Sequence, residues 1–232
     1  MAPTLAQAAL SSILLLSVQV WGLQCPESCS CFPVGSKKVF TDCWASTGEP
    51  SKITAIPKGF PANTVSIFLV NNRVGALSEF SFQGLDHLYI LYLFANKIDS
   101  IALRTFSNLK CLSVLDLSYN QLSTLEADHL QPLEASFEEL YQGFPANTVS
   151  IFLVNNRVGA LSEFSFQGLD HLYILYLFAN KIDSIALRTF SNLKCLSVLD
   201  LSYNQLSTLE ADHLQPLEAS FEELYQGGNP WH

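Results

Sequence analysis

The sequence is poor in basic residues and lacks the short motifs on which several common activities depend. Only 12 of its 232 residues are Lys or Arg, against 21 Asp or Glu, which leaves a net charge of −9. A chain without a basic stripe cannot neutralise a row of phosphates, so the composition argues against a nucleic-acid partner. No histidine pair has zinc-ligand spacing and no glycine-rich phosphate loop occurs, so we expect neither a metal site nor a cofactor.

Only one long apolar run occurs, AALSSILLLSVQVWG at residues 8–22. It is shorter than the ~20 residues of a membrane span, and the small residues Val20 and Gly22 are typical of a secretory cleavage site. We predict a signal peptide over residues 1–22, with a short membrane anchor as the alternative, and no membrane span in the rest of the chain. The protein would then be secreted or extracellular, where disulfides persist, and membrane-tethered only if a segment beyond His232 supplied the anchor.

Internal repetition dominates the rest of the chain. Residues 59–142 recur without one change as residues 143–226. Inside the first block, Asn72, Asn96 and Asn120 are 24 residues apart, and apolar residues recur at fixed distances after each of them. The segments LYILYLFANKIDSI and LSVLDLSYNQLSTL fit the template LxxLxLxxNxLxxL, which is the leucine-rich repeat pattern.

Each part of this template has a physical reason. The LxL pair forms a short strand with two inward side chains, and the Asn amide can donate to and accept from backbone groups where the chain turns away. One coil cannot bury its own apolar side, but stacked coils share a continuous core. We therefore predict an α/β-type leucine-rich repeat solenoid, with short parallel strands on the concave face and irregular or 3-10 structure on the convex side. An array of amphipathic helices is the alternative, and the β-prone segments SIFLV and LYLF argue against it.

Four cysteines cluster before the repeats. Cys25, Cys29, Cys31 and Cys43 permit three pairings, and their spacing alone does not select one. A zinc site is the alternative interpretation of such thiolates, whereas the predicted signal peptide favours disulfides. The pattern CPxxCxCx…C followed by ITAIPKGFPANT resembles the N-terminal cysteine cap of extracellular leucine-rich repeat proteins, among them the variable lymphocyte receptors, Slit proteins, Nogo receptors and Toll-type ectodomains. The resemblance implies the bonds Cys25–Cys31 and Cys29–Cys43, and a cap that covers the first coil.

The last residues resemble the start of a second cap. GNPWH, from Gly228 to His232, matches the opening of the C-terminal cysteine cap in the same families, and we expect the rest of that cap to follow His232. The predicted organisation is a signal peptide, an N-terminal cap, two blocks of repeats and the start of a further cap. The predicted signal peptide covers residues 1–22 and the N-terminal cap residues 23–61. The first block of repeats covers residues 62–142, the second block residues 143–227, and the start of the further cap residues 228–232.

The joint between the two blocks does not keep the 24-residue period. A block holds three and a half coils, so Asn120 and Asn156 are 36 residues apart. We expect the solenoid to break or kink near residues 140–150, where few residues remain for a parallel crossover. Two interpretations stay open: a recent duplication that folds as a kinked solenoid or as two short ones, and an error in assembling the gene.

Outward residues of the predicted strands are the candidate ligand-binding positions. Because side chains alternate along a strand, those between the core leucines point to the opposite face. Aromatic anchors are enriched at interfaces, and a surface row of aromatic side chains is costly unless it meets a partner. The candidate positions on the concave face are Ser66, Phe68, Val70, Ile90, Tyr92, Phe94, Val114, Asp116, Ser118, Phe152, Tyr176, Phe178 and Asp200.

Two further sets of residues could carry chemistry. Cys111 and its copy Cys195 are single cysteines, either buried free thiols or partners in an intermolecular disulfide. Asp–His neighbours recur four times, but they fall in the return segments, where no pocket shared with a nucleophile is expected. We predict no catalytic residue and no enzymatic activity.

The functional hypothesis is an extracellular module that binds a protein or glycan ligand through the concave face of the solenoid. A structural protein of the extracellular matrix is the alternative, as is the ectodomain of a membrane-anchored adhesion or innate-immune receptor. Co-sedimentation with collagen-like fibrils separates the matrix hypothesis from recognition of a single partner.

Overall fold

The chain folds as a parallel β-solenoid with little helix, which confirms the predicted fold class. The structure, a computed structural model, describes residues 24–44, 51–125, 130, 149–217 and 220–231. The predicted signal peptide lies outside these ranges, and so do residues 140–148 of the segment 140–150 where we expected a break or kink.

In the part of the chain that the structure describes, nine strands form one sheet, and each coil of the solenoid adds one strand to it. The first two strands pair in antiparallel fashion, and all later neighbours are parallel. The spatial order is β1-β2-β3-β5-β7-β8-β9-β10-β11, and β4 pairs with β6 in a second small sheet. The strands are β1 (Ser30–Val34), β2 (Lys38–Asp42), β3 (Thr64–Phe68), β4 (Ala76–Leu77), β5 (Ile90–Tyr92), β6 (Ser100–Ile101), β7 (Val114–Asp116), β8 (Val149–Phe152), β9 (Leu172–Tyr176), β10 (Val198–Asp200) and β11 (Glu223–Tyr225).

Among the described residues, helical structure is limited to Leu130 and one short stretch near the end of the chain. The helix α1 (Ala211–Leu214) is followed directly by a 3-10 helix (Gln215–Leu217). The other described return segments are mostly turns and irregular chain, with the two-residue strands β4 and β6 among them. Irregular chain is the structure predicted for the side of the solenoid opposite the main sheet.

The apolar core lies between the main sheet and the return segments. The LxL leucines point inward, and Leu91 and Leu93 have no exposed area. Aromatic rings of successive return segments stack on the far side: Phe82 on Phe106 with centroids 5.9 Å apart, and Phe166 on Phe190 at 6.1 Å. Because equivalent positions carry the same residue types, the apolar contact continues from coil to coil.

An asparagine ladder joins each coil to its neighbours. The Asn120 Nδ2 donates to the Leu93 carbonyl of the preceding coil at 3.0 Å and to its own coil at Leu117, 2.9 Å. Its Oδ1 accepts the backbone N–H of Ile98 at 2.9 Å, so one buried amide satisfies backbone groups of two coils. This is the role that the repeat template predicts. The ladder consists of Asn72, Asn96, Asn120, Asn156, Asn180, Asn204 and Asn229.

The cysteine cap closes the first coil. Cys25 bonds Cys31 and Cys29 bonds Cys43, the pairing that the resemblance implies. Strand β2 of the cap pairs in parallel with β3, so the cap extends the main sheet. Cys43 is 2% exposed and packs in the core, and its carbonyl accepts a 2.8 Å hydrogen bond from the first ladder residue, Asn72.

The two identical blocks share one sheet. Strand β7, the last described strand of the first block, pairs with β8, the first described strand of the second, and Val114 lies opposite Ser150. The copy of β7 in the second block is β10, and its residue Val198 lies opposite Glu223 of β11. The same Val-Leu-Asp sequence therefore meets two different neighbours. The strands on either side of the joint pair directly, although the residues of the joint itself are outside the described part of the chain.

Candidate functional site

One outward side chain from each of eight parallel strands aligns across the main sheet. The register places Asp42 opposite Phe68, and the same line continues strand by strand until Asp200 lies opposite Tyr225. Adjacent strands are about 4.8 Å apart, so these side chains are direct neighbours. We call this line the aromatic–aspartate row; in spatial order it contains Asp42, Phe68, Tyr92, Asp116, Phe152, Tyr176, Asp200 and Tyr225.

The aromatic members of the row contact one another in pairs. The rings of Phe68 and Tyr92 meet edge to face with centroids 4.7 Å apart, and those of Phe152 and Tyr176 do so at 5.3 Å. Edge-to-face geometry is the favoured arrangement of two rings because it brings the positive edge of one to the negative face of the other. The pairs partly bury their own rings. Asp116 and Asp200 each lie between two aromatic neighbours, whereas Asp42 lies between Ser30 and Phe68.

A second set of rings lies two or three residues after the row, just beyond the ends of the strands. Phe94 packs against Tyr119 with centroids 4.9 Å apart, and their copies Phe178 and Tyr203 do so at 5.1 Å. Tyr119 is 48% exposed and Tyr203 is 62% exposed. The aromatic surface therefore continues past the carboxyl ends of these strands.

Asp116 is the carboxylate at the centre of the row. It stands between Tyr92 and Phe152 and accepts the Ser118 backbone N–H at 2.8 Å. Burial raises the pKa of Asp116, and the hydrogen bonds from Ser118 oppose this increase. Burial also raises the pKa of Tyr92, and the negative charge of Asp116 adds to that effect. The charged form of Asp116 is thus incompletely compensated within the protein.

A pocket of about 310 Å³ surrounds this carboxylate. Its walls are almost entirely aromatic or aliphatic, apart from Asp116 and the hydroxyl of Tyr92. Phe152 comes from the second block and the other lining residues from the first, so the pocket exists because the two blocks stack. The lining residues are Phe68, Val70, Tyr92, Phe94, Asp116 and Phe152.

The structure places the predicted candidate positions on one face of the sheet, with unequal exposure. The aromatic candidates and the two aspartates are partly exposed. Ser66 is only 7% exposed and Ser118 only 4%, because these small side chains lie below their larger neighbours. The Ser118 hydroxyl accepts the backbone N–H of Val154 at 3.2 Å, which gives it a role in joining the blocks. Neither serine offers much surface to a ligand.

Sequence reasoning missed both ends of the row. Asp42 belongs to the cap, yet β2 runs parallel to β3 and carries it into the same line. Tyr225 belongs to β11, outside the asparagine-spaced repeats, and is 47% exposed. The alternation of inward and outward residues in KVFTD, and around Leu224 in ELY, was the signal that these side chains face outward. It does not indicate which residues of neighbouring strands lie opposite each other.

The comparisons with known proteins agree with this architecture. The family described as Leucine rich repeat matches residues 62–122, 86–138, 146–206 and 170–222. The chain belongs to the leucine-rich repeat family.

Relatives among characterised leucine-rich repeat proteins are similar over most of the chain. Lumican of Mus musculus is 30% identical over 181 residues, which cover 77% of this chain and 47% of lumican. Keratocan of Gallus gallus is 27% identical over 266 aligned residues, covering 89% of this chain and 71% of keratocan. The chain spans about half the length of the lumicans that it matches.

A solved structure has the same fold. It is a chain of the octameric complex of latrophilin 3, Unc5D and FLRT2, in which FLRT2 is marked as the leucine-rich repeat component. The TM-score is 0.66 at 21% sequence identity, and the match covers 89% of this chain and 56% of the other.

Family membership also bears on the residues considered for chemistry. It supports the prediction that this leucine-rich repeat chain is not an enzyme. Within the described ranges, no group of three or more His, Cys, Asp or Glu residues is arranged to hold a metal ion. The same residues include no helix that is long and apolar enough to cross a membrane. Cys111 is a buried free thiol, whereas its copy Cys195 is free and exposed.

Proposed function

We propose that this leucine-rich repeat chain is an extracellular binding module that recognises a protein ligand through the face of the main sheet, the concave face of the solenoid. The aromatic–aspartate row is the observation that carries the proposal. It presents aromatic surface across successive strands of a rigid sheet, and rigid aromatic side chains bind with little loss of conformational entropy. No catalytic group takes part.

The extracellular setting rests on the cap. Its two disulfides link all four cysteines of residues 25–43. Disulfides of this kind persist in oxidising compartments and are rare in the cytosol. The predicted signal peptide over residues 1–22 is consistent with secretion.

Binding of the full-length chain to cultured cells tests the use of this face. We expect Tyr92→Ala combined with Phe94→Ala to reduce binding at least tenfold, because both rings line the pocket around Asp116. The matched control is Phe80→Ala combined with Leu103→Ala, which removes apolar residues that are 66% and 55% exposed outside the main sheet. Far-ultraviolet circular dichroism verifies the fold of each variant.

Two outcomes would decide against the proposal. If the folded Tyr92–Phe94 variant binds as well as the unmodified chain, the sheet face is not the binding surface. If protease treatment of the cells leaves binding intact and removal of their glycans abolishes it, the ligand is a glycan and not a protein. Co-sedimentation with collagen-like fibrils in the absence of cell binding would support the matrix alternative.

A further inference from the structure

The spacing of the aspartates in the row indicates what kind of partner segment it fits. Building on the proposed function, we propose that the aromatic–aspartate row binds an extended polypeptide segment that crosses the strands and carries Lys or Arg at every fourth residue. The partner's basic side chains would lie at Asp42, Asp116 and Asp200, and the residues midway between them would lie over the aromatic pairs.

The distances within the row match an extended chain. Asp42 and Asp116 are three strand-to-strand steps apart, and Asp116 and Asp200 are three more steps apart. At about 4.8 Å per strand, successive aspartates are about 14 Å apart. An extended polypeptide advances about 3.4 Å per residue, so four residues cover about 14 Å and return the side chain to the same face. A nine-residue segment therefore reaches all three aspartates.

The residue types between the aspartates match the same periodicity. An extended partner would place the residue midway between two basic residues on the same face, about 7 Å from each. At that position the row presents the edge-to-face pair of Phe68 and Tyr92, or that of Phe152 and Tyr176. We expect an apolar residue there because apolar contact with these rings removes both surfaces from water.

Each aspartate is suited to a cation. The three side chains use the same local geometry: one carboxylate oxygen accepts the backbone N–H two residues later, at 2.9 Å from Trp44 and 2.8 Å from Ser118 and Ser202. A carboxylate has about four acceptor sites, so this bond leaves capacity for a ligand. The neighbouring rings add the attraction between a cation and an aromatic face.

Charge complementarity singles out a basic partner. From Asp42 to Tyr225, the outward strand positions that the structure describes contain no Lys or Arg, and the basic residue Lys38 lies four residues before Asp42 at the start of β2. Burial raises the pKa of Asp116, so a bound cation at this position would replace solvation that the carboxylate has lost. An acidic segment would instead meet three like charges.

The duplication gives the row its length. Asp116 lies in the first block and Asp200 in the second, and Phe152 of the second block lies beside Asp116. A chain with a single block would carry the cap aspartate and one more. Stacking the second block on the first adds Asp200 at the same spacing. The duplication thus lengthens the aromatic–aspartate row by three further strands.

Synthetic peptides test the proposed spacing on the full-length chain. The first probe is fluorescently labelled Arg-Ser-Leu-Ser-Arg-Ser-Leu-Ser-Arg with blocked ends, and the second has the same composition with its three arginines contiguous. Binding is measured by fluorescence anisotropy near physiological ionic strength, where exposed charges more than about 8 Å apart are largely screened. We expect the spaced peptide to bind at least tenfold more tightly than the contiguous one.

Charge-matched variants locate the binding. Asp116→Asn is expected to weaken binding of the spaced peptide about tenfold, and Asp200→Asn to do so independently. Asp86→Asn is the control because it removes the same charge from an exposed position in a return segment. Equal affinity for both peptides, or equal loss in Asp86→Asn and Asp116→Asn, would overturn the inference and leave only general attraction to an acidic protein. The proposed function would survive that result if the Tyr92–Phe94 variant still lost binding to cells.

Discussion

The side-chain oxygen of Asn156 accepts the backbone N–H of Leu122 at 3.1 Å, so a residue of the second block completes the hydrogen bonds of the first. The same amide donates to the Leu117 carbonyl at 3.0 Å. The asparagine ladder therefore passes through the joint without a missing step. It ends at Asn229, whose Oδ1 accepts the N–H of Leu206 at 3.1 Å.

Removal of Asn156 should destabilise the solenoid where the blocks meet. In Asn156→Ala the buried N–H of Leu122 loses its partner, and the carbonyl of Leu117 keeps only its hydrogen bond from Asn120. We expect the free energy of unfolding to fall by about 1–3 kcal/mol. Urea denaturation followed by circular dichroism measures the change. Asn108→Ala, at an exposed position in a return segment, should change stability by no more than about 0.5 kcal/mol. Similar effects in the two variants would show that the ladder does not join the blocks.

The two free thiols should react at different rates although their neighbours in sequence are identical. Cys111 is 8% exposed, and burial followed by the charge of Asp86 raises its pKa, opposed by Lys110. Because the thiolate is the reactive form, Cys111 should react with a thiol reagent at least tenfold more slowly than the exposed Cys195. Cys111→Ser and Cys195→Ser assign the two rates, since the flanking peptides cannot be told apart by mass. Equal rates in the native protein would contradict the different environments of the two copies.

Ionisation of the Asp116 carboxyl should lower the free energy of unfolding of the protein. Burial raises the pKa of Asp116 above its value in the unfolded chain, so the native state binds more protons between these two values. Stability should therefore fall as pH rises through this window, starting near the ordinary pKa of an aspartic acid. Thermal unfolding between about pH 3 and pH 7 should show a smaller decrease in Asp116→Asn than in the unmodified chain. A larger decrease in the variant would show that the carboxylate is stabilised by its surroundings.

Much of the fold was predictable because leucine-rich repeats are built from local patterns. The positions of Leu91, Leu93 and Asn96 relative to one another specify a strand, a turn and an inward face, and the structure contains all three. The outward positions of Phe68 and Tyr92 followed from alternation along the strands. The exposure of the outward side chains could not be predicted from alternation. Ser66 and Ser118 occupy outward positions, yet larger neighbours bury them.

Other parts of the site required the arrangement of strands. Asp42 belongs to the cap and Tyr225 to the last strand, and neither shows the 24-residue spacing. They enter the row because parallel pairing continues from β2 to β11. An aspartate recurs at every third strand of the row because of that strand order.

By itself the sequence determined the coil, its inward leucines and its asparagine turn, because each depends on the order of nearby residues. Only the tertiary structure decided which strand lies beside which. Val114–Asp116 and Val198–Asp200 are identical, yet one pairs with Val149–Phe152 and the other with Glu223–Tyr225. The physical reason is that the edge of a parallel strand accepts any strand with matching alternation, so the choice depends on residues far away in the chain. That choice places Phe152 beside Asp116 and forms the pocket at the centre of the row.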